Sequence, residues 1–244
     1  MGLDHSPTIV TNDLIVYLDP ANLRSYSGSG NTCYDISGKN NHGFLINTPT
    51  FNSAGALSNF SFNGSDEYIN ISTSPNTFTY NRSSFTVMGW VRFTSLPNPP
   101  YTGTIIAKWN VGSGQANEFI LNTSDSTRTF VFAVDFEDGQ SPDGTVNDLV
   151  TTNTIYTTNT WYHVCGSFNN GVLKMYLNGI LENSVTNLNH TTVKTDNTAY
   201  LRSAMFYTNI FSVGQRSIIQ MYNRALSDIE VLQNYNATKG RFGL

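Results

Sequence analysis

The chain has 244 residues, 39% of them hydrophobic and only 12% charged, with 13 Lys and Arg against 17 Asp and Glu for a net charge of −4. That length suits one all-β domain and can bury enough surface to stand without disulfide or metal staples. The cations are scattered, so the basic patch that drives nucleic-acid affinity is missing, and no apolar run approaches the roughly 20 residues of a membrane helix.

From the start, Met1-Gly2-Leu3-Asp4-His5-Ser6-Pro7 lacks a basic segment followed by an apolar one, which reads as no secretory signal. Gly2 and Ser6 fit the loose myristoylation pattern, a short pattern that recurs by accident. Strands enriched in β-branched and aromatic residues are expected at Leu14–Leu18, Gly43–Asn47, Phe60–Asn63, Tyr68–Ile71 and Phe85–Phe93. Further strands are expected at Thr104–Lys108, Glu118–Asn122, Thr129–Asp135, Trp161–Phe168, Val172–Asn178 and Ser217–Tyr222. Phe85, Val87, Val91 and Phe93 share one face, as do Leu173, Met175 and Leu177 with Lys174 and Tyr176 opposite. Such period-two patterning predicts two stacked antiparallel sheets, each with one buried and one wet face.

Asn169-Asn170-Gly171 and Asn178-Gly179 predict tight turns that join Trp161–Phe168, Val172–Leu177 and Ile180–Asn183 into a meander. Pro97-Asn98-Pro99-Pro100 and the polar stretch Glu137–Asp148 read as loops. One helix is expected near the end, where Ser227-Asp228-Ile229-Glu230 forms a capping box. Ile229, Leu232 and Tyr235 or Asn236 follow at helical spacing, with Gly240 as the stop. Without a composition break or repeat, residues 1–244 read as a single domain, its core about 14–235 between short arms. The two cysteines, Cys33 and Cys165, read as free thiols packed as small hydrophobes.

Several segments, in the right order, resemble the concanavalin A-like, laminin-G-like family. They are Leu14–Asp19, Tyr34-Asp35-Ile36-Ser37-Gly38 with Asn40-Asn41-His42-Gly43, and Phe62–Tyr68. Phe85–Val91, Trp161-Tyr162-His163-Val164 with Leu173–Gly179, and Tyr222-Asn223-Arg224-Ala225-Leu226-Ser227 complete the set, although Cys33 stands where a Trp is common. The resemblance implies an all-β, two-sheet antiparallel jelly-roll sandwich with a short C-terminal helix. It says little about function, because the fold hosts lectins, hydrolases, adhesion modules and capsid parts.

Each chemistry of that family can be weighed on the residues. Its glycosidases place paired carboxylates on one strand; here Asp135-Phe136-Glu137-Asp138 comes nearest, with no third acid in register and Gly139 breaking the run. Gln115-Ala116-Asn117-Glu118-Phe119 resembles a pentraxin calcium strand, yet Ala116 replaces the acid, and Leu201–Gly214 lacks the later acidic cluster. No catalytic, cofactor or metal residue is assigned, though a structural calcium ion stays open; Asp66 and Glu67 read as turn holders. Trp90 and Trp161 read as core, leaving Trp109, beside a glycine-rich loop, as the candidate exposed platform for a sugar ring. His163 reads as packing, His5, His42 and His190 as loop residues. The Asn-x-Ser/Thr sites at Asn59, Asn70 and Asn81 read as consequences of composition.

The ending, Asn234–Leu244, resembles the C-termini of laminin-G-like virion proteins of tailed phages. The expectation is therefore a non-enzymatic virion structural protein, a capsid decoration or a tail or fibre component, assembled in the host cytoplasm. Its partners would be other capsid or tail proteins and copies of itself in a symmetric homo-oligomer, trimers included. The rival is a lectin or adhesion module that binds host-surface glycans.

Overall fold

The computed structural model describes residues 7–71, 78–96, 103–110, 116–124, 126–136, 149–186, 190–195, 199–207 and 210–244. Strands β1 (Leu14–Leu18), β2 (Thr32–Cys33), β3 (Gly43–Ile46), β4 (Thr50–Asn52), β5 (Asn59–Asn63) and β6 (Tyr68–Asn70) come first. Then follow β7 (Ser84–Arg92), β8 (Ile106–Asn110), β9 (Ala116–Thr123), β10 (Phe130–Val134), β11 (Leu149–Thr151) and β12 (Tyr162–Asn169). The chain closes through β13 (Val172–Leu177), β14 (Ile180–Thr186), β15 (Leu201–Ser203), β16 (Met205–Tyr207), β17 (Ile210–Phe211), β18 (Val213–Tyr222) and the helix α1 (Asp228–Thr238).

The strands build the expected sandwich. One sheet runs β14-β13-β12-β7-β18-β5-β4, with β1 also paired to β18, and the other runs β11-β10-β9-β8-β15-β6-β3-β2. β16 and β17 form a separate hairpin, and every pairing among the described strands is antiparallel. The facing sides interdigitate around fully buried Phe85, Phe93, Phe119, Phe130, Phe132 and Phe168, with Val87, Val91, Leu173, Met175 and Leu177 in the same core. At Gly166 in β12 the two sheets come so close that a Cβ would strike the Phe132 ring, which explains a glycine in the middle of a central strand.

The turns are as predicted. Asn170 and Gly171 have φ of 47° and 87°, Asn178 and Gly179 have 50° and 80°, the positive pairs that the right-handed twist of a hairpin needs. Pro97–Pro100 and Glu137–Asp148 lie outside the described residues.

The wet-face expectation fails in the centre of both sheets. In the first sheet β7, β12 and β18 are buried on both faces, because α1 and the residues after it lie across the outer one. In the second sheet the described side chains of β8 and β9 are buried on both faces as well. The capping box forms as expected, Ser227 accepting from Glu230 N and the Glu230 carboxylate accepting from Ser227 N. The buried helix face differs: Ile229 is 78% exposed and Leu232 half-exposed, while Val231, Asn234 and Thr238 are buried. Gly240 does not stop the chain's coiling either. A 3-10 turn, Lys239–Phe242, continues to Gly243, whose φ of 75° makes the left-handed cap.

Ser227→Ala removes the acceptor that holds the first turn. It should cost about 1 kcal/mol in urea unfolding, and a midpoint unchanged from the parent would show the cap to be idle.

Candidate functional site

Among the described residues the C-terminal segment lies across the outer face of the first sheet and not that of the second. On the first sheet Trp90 stacks on Phe242 at 3.9 Å between ring centroids, and its Nε1 donates to Thr238 Oγ1 at 3.0 Å. Trp161 packs on the same Phe242 ring. Asn234 Oδ1 accepts from Val10 N, and its Nδ2 donates to Tyr222 Oη, so a buried amide ties helix, sheet and N-terminal segment together. Arg241 clasps Asp19 through two bonds of 2.8 Å. This face is sealed.

The second sheet carries its own row of outward side chains. Register sets Phe44 opposite Asn70, Asn70 opposite Arg202, Arg202 opposite Ala107 and Ala107 opposite Ile120. Alternation puts all five on the face away from the core. The Arg202 guanidinium lies 4.8 Å from the Tyr200 ring centroid and 5.7 Å from that of Tyr68, the two rings holding it by cation–π attraction. All three side chains are half-buried. Burial lowers the Arg202 pKa from its ordinary value, the neighbouring tyrosines acting the other way.

Beyond Ala107, small and apolar residues Ala107, Ile120 and Ala133 pack against Trp109 and Leu149. On the far side a groove of about 480 Å³ opens over β9, β10 and β11, lined by Asn122, Thr129, Val131, Thr151 and Asn153 among others. Asn122, Val131 and Thr151 stand in one cross-strand row there, and Asn122 Oδ1 is buried without a hydrogen-bond partner among the described residues. A second hollow of about 530 Å³, floored by Tyr26, Leu45 and Phe51, lies at the opposite edge of the sandwich.

Trp109 is not the exposed platform expected from sequence. It is 8% exposed, its ring packed with Ala107 of β8, Ile120 of β9 and Ala133 of β10. The expectation missed Tyr68, Tyr200 and Arg202, which stand where an exposed platform was sought.

The acids are engaged elsewhere. Glu118, in the pentraxin-like segment, forms a buried ion pair with Lys108, whose ammonium supplies the positive charge a cation would bring. Asp35 accepts from the amides of Tyr17, Ser37 and Asn41 and so staples its loop to β1. The Glu67 carboxylate accepts from Asn63 N, and Asn63 in turn bonds Asp66, so this pair holds a turn. Asp135 is buried, its carbonyl accepting from Lys194 N, while Glu137 and Asp138 lie outside the described residues. Among the described residues no three His, Cys, Asp or Glu cluster as metal ligands would.

The histidines do not converge. His42 Nδ1 accepts from Asp35 N, His190 stacks on Phe136, and His5 lies outside the described residues. His163 is buried beside Trp90, and desolvation pushes its pKa down to about 3. Both cysteines are free and buried; burial pushes the Cys33 thiol up to about 12 and Cys165 higher still. Asn59 is buried, while Asn70 and Asn81 are more open.

The family model described as the concanavalin A-like lectin/glucanases superfamily matches residues 63–232. Among curated proteins no sequence matches. Of solved structures, domain 4 of a GH43 extracellular arabinanase from Geobacillus stearothermophilus, in complex with arabinotriose, is similar over 91% of this chain and 98% of its own, at 18% identity and TM-score 0.64. Trypanosoma rangeli sialidase is similar over 94% of this chain and 33% of its own, at 15% identity and TM-score 0.66. The binding domain of Paraclostridial Mosquitocidal Protein 1 is similar over 93% of this chain and 52% of its own, at 15% identity and TM-score 0.64. The chain thus spans about a third of the sialidase and half of the toxin domain, and at these identities the likeness is one of fold.

Proposed function

The chain belongs to the concanavalin A-like lectin/glucanases superfamily, and on that premise we propose that it is a non-catalytic carbohydrate-binding module whose ligand lies on the outer face of the second sheet. The observation that carries this reading is the Tyr68–Arg202–Tyr200 cluster, half-buried on the face that the C-terminal segment leaves alone. Aromatic rings offer sugars a flat apolar surface, and Arg, Asn and Thr side chains supply the hydrogen bonds that orient hydroxyl groups. The arabinanase domain bound to arabinotriose shows that a sandwich of this kind can hold an oligosaccharide. The non-catalytic part is supported by the structural engagement of several acids: Asp19, Glu118 and Glu230 each pair with a cation, and Asp35 holds turn amides.

A glycan array tests it. Saturable binding is expected, with a loss of tenfold or more, about 1.4 kcal/mol, when Tyr68→Ala and Tyr200→Ala are combined. Turnover of a bound glycan would overturn the non-catalytic reading.

A second reading concerns the setting. The Asn234–Leu244 resemblance favours a tailed-phage virion, with the module as capsid decoration or as a tail or fibre component, in symmetric homo-oligomers. Packing alone accounts for several of these residue types, since Asn234, Thr238, Arg241 and Phe242 close the first sheet. Stoichiometric cosedimentation with phage particles is the expected result; a protein exported from a cell and absent from particles would contradict it.

A further inference from the structure

Several cations of this chain are answered by an acceptor. Arg224 forks onto Glu230, Arg241 onto Asp19, and Lys174 meets Asp228. Buried Arg216 donates to the carbonyls of Thr104 and Gln215, and Arg92 donates to Gln215 and Asn159. Arg202 is different. Among the described residues no acid pairs with it, its Nε is buried without an acceptor, and its guanidinium lies against the two tyrosine rings.

A half-buried guanidinium without an anion is costly, because it has lost part of its hydration and gained only ring quadrupoles in return. The same arrangement makes it a preorganised receptor. The rings fix the side chain, so little rotamer entropy is left to lose on binding. Both rings lie within cation–π reach of the guanidinium and offer it no oxygen acceptor, so hydrogen bonding is left to a ligand. An edge with two parallel N–H groups matches a planar two-oxygen acid better than a point charge would.

We propose that Arg202, lying against Tyr68 and Tyr200, recognises the carboxylate of an acidic sugar. This rests on the carbohydrate-binding reading above and narrows it to glycans that carry a uronate or sialate. The neighbouring rings stack on the sugar that bears the acid, while the guanidinium edge takes its two oxygens.

The test uses the full chain and a panel of uronate- and sialate-bearing oligosaccharides, each paired with its carboxyl methyl ester and with a sulfated neutral counterpart. The two acid sets identify the source of the carboxylate. At least one acid should be retained and should weaken about tenfold or more on esterification, with affinity falling as salt rises. Arg202→Gln should cause a similar loss, and Arg202→Lys a substantial one, because an ammonium keeps the charge but not the fork. If Arg202→Gln fails to fold, the ester comparison on the parent protein still decides. Esters bound as tightly as acids, or acids bound equally well by folded Arg202→Gln, would overturn the carboxylate assignment and leave a neutral-glycan module standing. Preference for the sulfated forms would overturn it too. Retention of no glycan of any kind would sink the parent reading with it.

Discussion

Trp90→Ala should destabilise the protein by about 3–5 kcal/mol, the range for deleting a buried tryptophan. Trp90 is 1% exposed and joins three elements: it sits in β7, stacks on Phe242, and donates to Thr238 at the end of α1. Removing the ring leaves a cavity under the C-terminal segment and strips Phe242 of its main partner. For a chain of this size the unfolding temperature should fall by roughly 10 °C. Glycan binding by the folded fraction should survive, since the ring lies on the sealed sheet. A loss below about 1 kcal/mol would mean that the segment after β18 is not docked in solution.

The second large effect is acid lability set by His163. Its imidazole is buried against Trp90 and Tyr235, with Nδ1 lacking a partner among the described residues and no acid in contact to favour a proton. Folding therefore moves its pKa from 6.5 down to about 3. The unfolded chain takes up a proton in that interval and the native chain does not, so the stability is full above about pH 6.5 and is lost as pH falls. The slope approaches about 1.4 kcal/mol per pH unit, which amounts to roughly 2 kcal/mol between pH 6.5 and 5. Glu230, lowered to about 2 by Arg224, adds a loss in the same direction, but only below its unfolded value of 4.5. His163→Phe should flatten urea stability across pH 6.5 to 5. An unaltered slope in that variant would place the acid sensitivity elsewhere.

Most of the long strands were legible because their alternation is long enough to count. Phe85–Phe93 and Val172–Leu177 are examples, and the turn pairs Asn170-Gly171 and Asn178-Gly179 fix their register. β2, β4, β11 and β15 have two or three residues each and carry no period, so they escape such reading. The helix shows the same limit differently. Its start was written in Ser227 and Glu230, but its buried face is marked by Asn234 and Thr238, polar residues that no hydrophobic pattern reveals.

The motifs that carry the family resemblance prove to be structural. Asp35 staples a loop, Arg224 pairs with the capping-box Glu230, and Asp19 receives Arg241. Of the candidate site only Tyr68, at the end of the Phe62–Tyr68 segment, belongs to them. Arg202 meets Tyr68 only because β15 pairs with β6 across more than a hundred residues of chain, a juxtaposition that no local pattern encodes. Trp109 misled because a tryptophan near glycines looks exposed, whereas its ring is packed against Ala107, Ile120 and Ala133 of neighbouring strands.

Amide chemical-shift mapping with a glycan that the array retains tests the central claim most directly. The account predicts perturbations clustered at residues 68–70, 107–109 and 200–203, where β6, β8 and β15 present the Tyr68–Arg202–Tyr200 cluster. Shifts confined to the Tyr26–Phe51 hollow, or to α1 and the sealed sheet, would contradict it.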